Sequence, residues 1–217
     1  GQTGDAASAL PALRRCADSG EEWAVIDEIG YLETACPDYC AEILTLMEKK
    51  KLAAAVRKQE LPFLTKLCRR PDVFLVDLDN PFGEVGCVIM ASGLGRRFGG
   101  NKLLAKFGEK PLIQWALDAT EGIFARRVAV TRHREVEQLC RSQGIDVILH
   151  DLPDRSDTIR LGLDALCEAR PSLSGCLFCP ADQPLLHRET VASLTLLAAD
   201  QPDCIWRPSW QEQAGAP

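Results

Sequence analysis

Short runs that are apolar throughout alternate with stretches of helical length along this 217-residue chain, and this rhythm limits the fold more than any other feature. Trp23 to Ile29, Leu52 to Val56 and Val73 to Leu78 read as buried strands, and residues 5–19, 37–50 and 60–69 read as helices. After Glu84 the rhythm restarts. Gly86 to Met90, Arg127 to Thr131, Asp146 to His150 and Cys176 to Cys179 read as strands, and Cys204 to Pro208 opens another. Pro111 to Thr120, residues 134–143, residues 156–169 and residues 188–199 read as the helices between them. Strands with no polar face, separated by helices, predict parallel sheets covered on both sides. The expected class is α/β, with two three-layer αβα units. The hexapeptide Asp79-Asn80-Pro81-Phe82-Gly83-Glu84 has the Pro and Gly of a turn or linker, so the boundary is placed there, giving residues 1–84 and 85–217.

Composition narrows the partners. The formal net charge is -6, and residues 1–84 hold 10 basic against 15 acidic groups, so no basic face for nucleic acid is expected. No apolar run reaches membrane-spanning length, and no membrane partner is expected. The opening Gly-Gln-Thr-Gly-Asp lacks the features of a signal peptide and reads as the cut edge of something longer. The ten cysteines show no zinc-site spacing, and reduced thiols in a cytoplasmic protein are expected.

The segment from Val88 to Leu104 carries the chemistry. A buried strand runs into Ala91-Ser92-Gly93-Leu94-Gly95, then Arg96-Arg97-Phe98-Gly99-Gly100-Asn101-Lys102. Small residues let backbone N–H groups close around an anion. Arg97 offers a planar fork to phosphate oxygens, and Lys102 adds a compact positive charge. No Gly-Lys-Ser/Thr follows, so this is not a Walker A loop. Two crowded arginines make it a poor dinucleotide fingerprint. A triphosphate whose pyrophosphate end departs fits better.

Farther on, Cys179-Pro180-Ala181-Asp182-Gln183-Pro184 places one carboxylate just past a strand, at the sheet edge where α/β proteins bind ligands. One hard carboxylate suits Mg²⁺ completed by phosphates and water. Read without the loop, Asp182 would serve as the cap of the next helix. Asp154-Arg155-Ser156-Asp157-Thr158 stands before a helix and suits its N-terminus. His133, His150 and His187 match no ligand spacing and read as solvated or packing residues.

The loop resembles the signature of the nucleotidyltransferases that include molybdenum cofactor cytidylyltransferase and molybdopterin guanylyltransferase, and Gly108-Glu109-Lys110-Pro111-Leu112-Ile113 continues the likeness. The resemblance covers residues 86–217, and it implies a Rossmann-like nucleotidyltransferase fold truncated at its C-terminus. It implies nucleotide contacts from Ala91, Ser92, Gly93, Leu94, Gly95, Arg97, Phe98, Gly99 and Lys102, with Ser156 and Thr158 near base and ribose. It implies Arg97, Lys102 and Asp182 as catalytic residues and Asp182 as the Mg²⁺ ligand. The implied reaction moves CMP from CTP to molybdopterin. GTP remains open because Ser92 stands where the cytidylyl branch has Ala and the guanylyl branch Gly. A molybdenum-hydroxylase apoenzyme is a further implied partner. Another phosphorylated acceptor such as a sugar phosphate, and a fragment that holds nucleotide without turnover, are the alternatives.

In the first segment Trp23-Ala24-Val25-Ile26 runs into Asp27-Glu28, the pattern of a Walker B strand that holds Mg²⁺ and polarises water. With Ile29-Gly30 and Glu33 it resembles the second half of the small P-loop nucleoside triphosphatases. No Gly-x-x-x-x-Gly-Lys-Ser/Thr occurs in the chain, so residues 1–84 are expected not to hydrolyse nucleotides.

Overall fold

The computed structural model describes residues 4–95, 98–210 and 213–214. Contacts divide the chain into two compact units, Gly1–Leu75 and Val76–Pro217. In the first, α1 (Gly4–Ala17), β1 (Trp23–Ile29), α2 (Tyr31–Thr34), α3 (Pro37–Lys49), β2 (Lys51–Val56) and α4 (Pro62–Cys68) follow one another. Pro37 and Pro62 occupy the first turns of α3 and α4, where a missing N–H costs no helical bond. β1 and β2 pair in parallel, and Ile29, Tyr39, Ile43, Leu64 and Leu67 form the core.

Two readings of this unit need correction. β1 is not buried throughout: Ala24 and Ile29 point inward, whereas Trp23 and Val25 are 57% and 80% exposed. Val73 to Leu78 is not a strand. Phe74, Leu75 and Leu78 are exposed, and the segment joins no ladder among the described residues. An apolar run supplies the side chains of a strand but not the neighbour that must pair its backbone.

The second unit is built on β3 (Val85–Ala91). A single 3-10 turn (Lys102–Leu104) and a small hairpin, β4 (Lys106–Phe107) with β5 (Lys110–Pro111), lead to α5 (Leu112–Ala119). Then come β6 (Arg126–Thr131), α6 (Arg134–Ser142), β7 (Asp146–Leu149), α7 (Arg155–Ala169), β8 (Gly175–Pro180) and α8 (Arg188–Asp200). A hairpin of β9 (Ser209–Trp210) and β10 (Gln213–Ala214) ends the described chain. Cys204 to Pro208, expected to open a strand, has no strand structure.

All four long strands run parallel in the order β7-β6-β3-β8. The two faces of β3 go to different layers. Cys87, Ile89 and Ala91 pack with Ile113, Ala116 and Leu117 of α5 and with Val136 and Cys140 of α6. Val88 packs with Val128, Val130 and Leu166 of α7. α7 can lie this close because residue 162 is glycine: a Cβ there would sit 2.5 Å from Val88 Cγ1. The unit is thus a three-layer α/β sandwich. Its chain winds from β3 outward to β7 and then returns to β8 on the other side. The ends of β3 and β8 flank the reversal, where open α/β sheets bind ligands. Among the described residues no helix is long and apolar enough to cross a membrane.

Candidate active site

Two strand ends build the site. β3 ends at Ala91, and the loop behind it begins with Ser92. The N–H of Ala181 donates to Met90 O (3.1 Å), which carries the chain beyond β8 alongside that loop. Asp182 follows at once. Across the gap, Asn101 Oδ1 accepts from Leu103 N (3.2 Å), shaping the turn that presents Lys102 while Leu103 anchors it in the core. Lys102 Nζ and an Asp182 carboxylate oxygen form an ion pair, their side chains 33% and 36% exposed. The helix-cap reading of Asp182 fails, since the next helix, α8, begins at Arg188 with His187 as its cap.

Glycine at 95 is required by the loop. Its φ is +57°, and a Cβ there would lie 2.4 Å from Gly100 O. Leu94 and Phe98 are exposed, at 45% and 61%, and Gly99 also lies in the loop with positive φ. Arg97 lies outside the described residues.

The first loop residues are fixed from the neighbouring strand. Thr131 Oγ1 donates to Ala91 O (3.0 Å), and His133 Nε2 bonds Gly93 O (3.0 Å). Ser92 Oγ donates to Val130 O (3.0 Å) and lies 2.8 Å from His150 Nε2. Thr158 Oγ1, in the first turn of α7, stands 3.4 Å from the same nitrogen and is buried, whereas Ser156 is exposed. Burial pushes the His150 pKa down and the Arg132 guanidinium adds to this, with Asp157 and Asp151 opposing. His133 and His150 are half-buried, and each bonds the loop. His187 stays exposed at the α8 cap. Their role leaves no local signal, because Ser92 and His150 are 58 residues apart and meet only when the sheet forms.

Among the described residues no group of three or more His, Cys, Asp or Glu could cage a metal. The lone carboxylate of Asp182, already facing a cation, fits an ion held mainly by phosphates and water. In the first unit Asp27 and Glu28 lie where the β1–β2 register shifts, between Ile26 and Ile29. Asp27 is exposed, and Glu28 is 2.6 Å from Arg57 Nε.

The MobA-like NTP transferase domain matches residues 87–217, and an NTPase family matches residues 5–81. Among solved structures, Rv0371c from Mycobacterium tuberculosis H37Rv is 18% identical over 54% of this chain and 61% of its own, with a TM-score of 0.47. Its homologue from Mycobacterium sp. strain JC1 is 26% identical over 53% of this chain and 59% of its own, with a TM-score of 0.43. CMP:2-keto-3-deoxy-manno-octonic acid synthetase, complexed with CTP, is 19% identical over 55% and 48%, with a TM-score of 0.42. The chain thus spans about three-fifths or less of the length of these proteins. The first family match takes in more than half of the residues, and the chain belongs to the MobA-like NTP transferase family, with an NTPase family segment ahead of that domain.

Proposed function

We propose that the second unit transfers CMP from CTP to the terminal phosphate of molybdopterin and releases pyrophosphate. The observation that carries this reading is the meeting of Lys102 and Asp182 between the ends of β3 and β8. A cation and a carboxylate at one switch point are what a metal–triphosphate needs from a protein, because phosphoryl chemistry depends on charge placement more than on covalent partners. The loop from Ala91 to Gly100 lies under the nucleotide. Lys102 and Arg97 hold the β- and γ-phosphates and stabilise the departing pyrophosphate. Asp182 is the residue that would hold Mg²⁺, which when bound neutralises charge on the α-phosphate. An oxygen of the acceptor phosphate forms the new bond to the α-phosphorus. The bond from that phosphorus to the bridging oxygen breaks, and pyrophosphate leaves with the electron pair. The start of α7, with exposed Ser156 and buried Thr158, is the part assigned to base and ribose. Domain limits of 1–84 and 85–217, and a molybdenum-hydroxylase apoenzyme as receiver of the product, belong to the same reading.

Pyrophosphate release tests it. The chain is incubated with Mg²⁺, each labelled NTP, and either molybdopterin or a sugar phosphate. The reading expects release with CTP and molybdopterin together and label incorporated into the pterin. Release only with GTP or only with a sugar phosphate would reassign the substrate. That no group of three or more metal-ligating side chains occurs among the described residues favours one second reading, a domain that holds nucleotide without turnover; CTP binding with no pyrophosphate under any pairing would select it.

A further inference from the structure

The first unit carries a pair of thiols that the proposed reaction does not use. Cys36 is the N-cap of α3, and Pro37 is its first helical residue. The Cys40 N–H donates to Cys36 O (3.1 Å), which closes the first turn and sets the two residues one above the other. Both side chains are half-buried rather than sealed in the core. Cys36 Sγ caps no backbone N–H of the helix, and Cys40 Sγ donates weakly to Thr34 O (3.7 Å). Burial raises the Cys40 pKa, and the charge of Cys36 raises it further, so each sulfur lies within electrostatic reach of the other.

Spacing decides what such a pair can hold. Residues four apart on a helix have Cβ atoms about 5–6 Å apart. A disulfide takes about 3.5–4.5 Å between them, so one bridging atom suits the pair better than a sulfur–sulfur bond. Two thiolate–metal bonds of about 2.3 Å, the length found for zinc, hold sulfurs about 4.6 Å apart when in line. Ligand number then selects the ion. Structural Zn²⁺ demands a tetrahedron of ligands, and Ca²⁺ and Mg²⁺ demand a shell of oxygens. Among the described residues no third His, Cys, Asp or Glu completes such a group. Glu33 is occupied by the Gly30 N–H (2.9 Å), and it and Asp38 are hard carboxylates, poor ligands for a soft ion. A soft ion satisfied by two thiolates remains, the class that Cu⁺ represents. The N-terminus of the 13-residue α3 favours the negative charge that two thiolates bring.

We propose that Cys36 and Cys40 form a two-coordinate site for a soft monovalent cation, with Cu⁺ held between the two sulfurs. Binding exchanges two protons for one ion. Both S–H bonds break, two S–Cu bonds form, and the protons pass to solvent; nothing is oxidised or reduced. The cation also removes the repulsion that each thiolate exerts on the other. The site lies in the first unit and stands independently of the nucleotide reading.

Anaerobic competition between the full chain and the Cu⁺ complex of bicinchoninate tests it. The wild type is expected to bind one Cu⁺ more than the variant with both Cys36→Ser and Cys40→Ser. Either serine substitution alone should weaken that ion by more than the roughly hundredfold that losing a supporting group costs. Iodoacetamide mapping of the wild type, with and without one equivalent of Cu⁺, reads the same site with no substitution to disturb the fold. Cys36 and Cys40 should be protected together, while exposed Cys167 and Cys204 stay reactive. Equal Cu⁺ binding by the wild type and the double variant would overturn the proposal. So would protection of one thiol of the pair without the other.

Discussion

Lys102 and Asp182 are 80 residues apart in sequence and form one ion pair in the folded chain. Each was legible locally: the lysine ends a glycine-rich loop, and the aspartate follows a strand. Under the proposed function the two exchange partners on binding, the ammonium turning to phosphate and the carboxylate to metal. Lys102→Met should therefore raise the affinity of the free protein for Mn²⁺ severalfold, while CTP affinity falls about tenfold through a lost charge-assisted hydrogen bond. Titration of both ligands checks this, and unchanged Mn²⁺ affinity would mean that the lysine does not mask the carboxylate. The thiols give a second prediction at this scale. Burial pushes Cys179 up to about 12, Cys140 and Cys176 to about 11, and Cys87 well above its ordinary value. A raised thiol pKa means little thiolate at pH 8. Exposed Cys167 and Cys204 should then alkylate first, with Cys87, Cys140 and Cys179 protected until denaturant is added. Mass mapping of timed iodoacetamide reactions would show the order, and early labelling of Cys179 would contradict it. His150 was not legible, because nothing near it in the chain announces Ser92.

The elements that position the site were readable where local pattern and tertiary pairing agree. β3 is apolar at every position because helices cover both its faces, and its limits lie close to the expected Gly86 to Met90. Val73 to Leu78 and Cys204 to Pro208 have strand-like composition but no ladder among the described residues, so composition alone misleads there. The β4–β5 hairpin escaped because two-residue strands are too short to show a period. α7 depends on Gly162, whose role is visible only against Val88. Gly162→Val should force α7 off the sheet and destabilise the second unit by about 1–3 kcal/mol, the usual cost of overpacking. Because α7 also carries Thr158, CTP affinity should fall in the same variant. Urea denaturation followed by α-helical signal measures the first effect, and an unchanged midpoint would show that the helix shifts freely.

Across the whole molecule, two units each bring acidic residues to the end of a parallel strand, but with different surroundings. Asp182 faces a lysine beside a phosphate-suited loop; Glu28 faces Arg57, and no Walker A loop occurs in the sequence. The full chain should therefore release no inorganic phosphate from ATP, GTP or CTP above background, and Asp27→Asn with Glu28→Gln should leave CTP affinity unaltered. A colorimetric phosphate assay decides it, and steady hydrolysis lost in the double variant would overturn the expectation. The sequence led to the nucleotidyltransferase class through one loop and one acid, whose chemistry suits a metal–triphosphate. The acceptor was read from family resemblance alone, because no local residue pattern encodes a pterin. The most direct test of the central claim is the Mg²⁺ dependence of CTP affinity in the wild type and in Asp182→Asn. The account predicts that Mg²⁺ strengthens CTP binding at least tenfold, about 1.4 kcal/mol, in the wild type and has little effect in the variant. Equal enhancement in both proteins would contradict it.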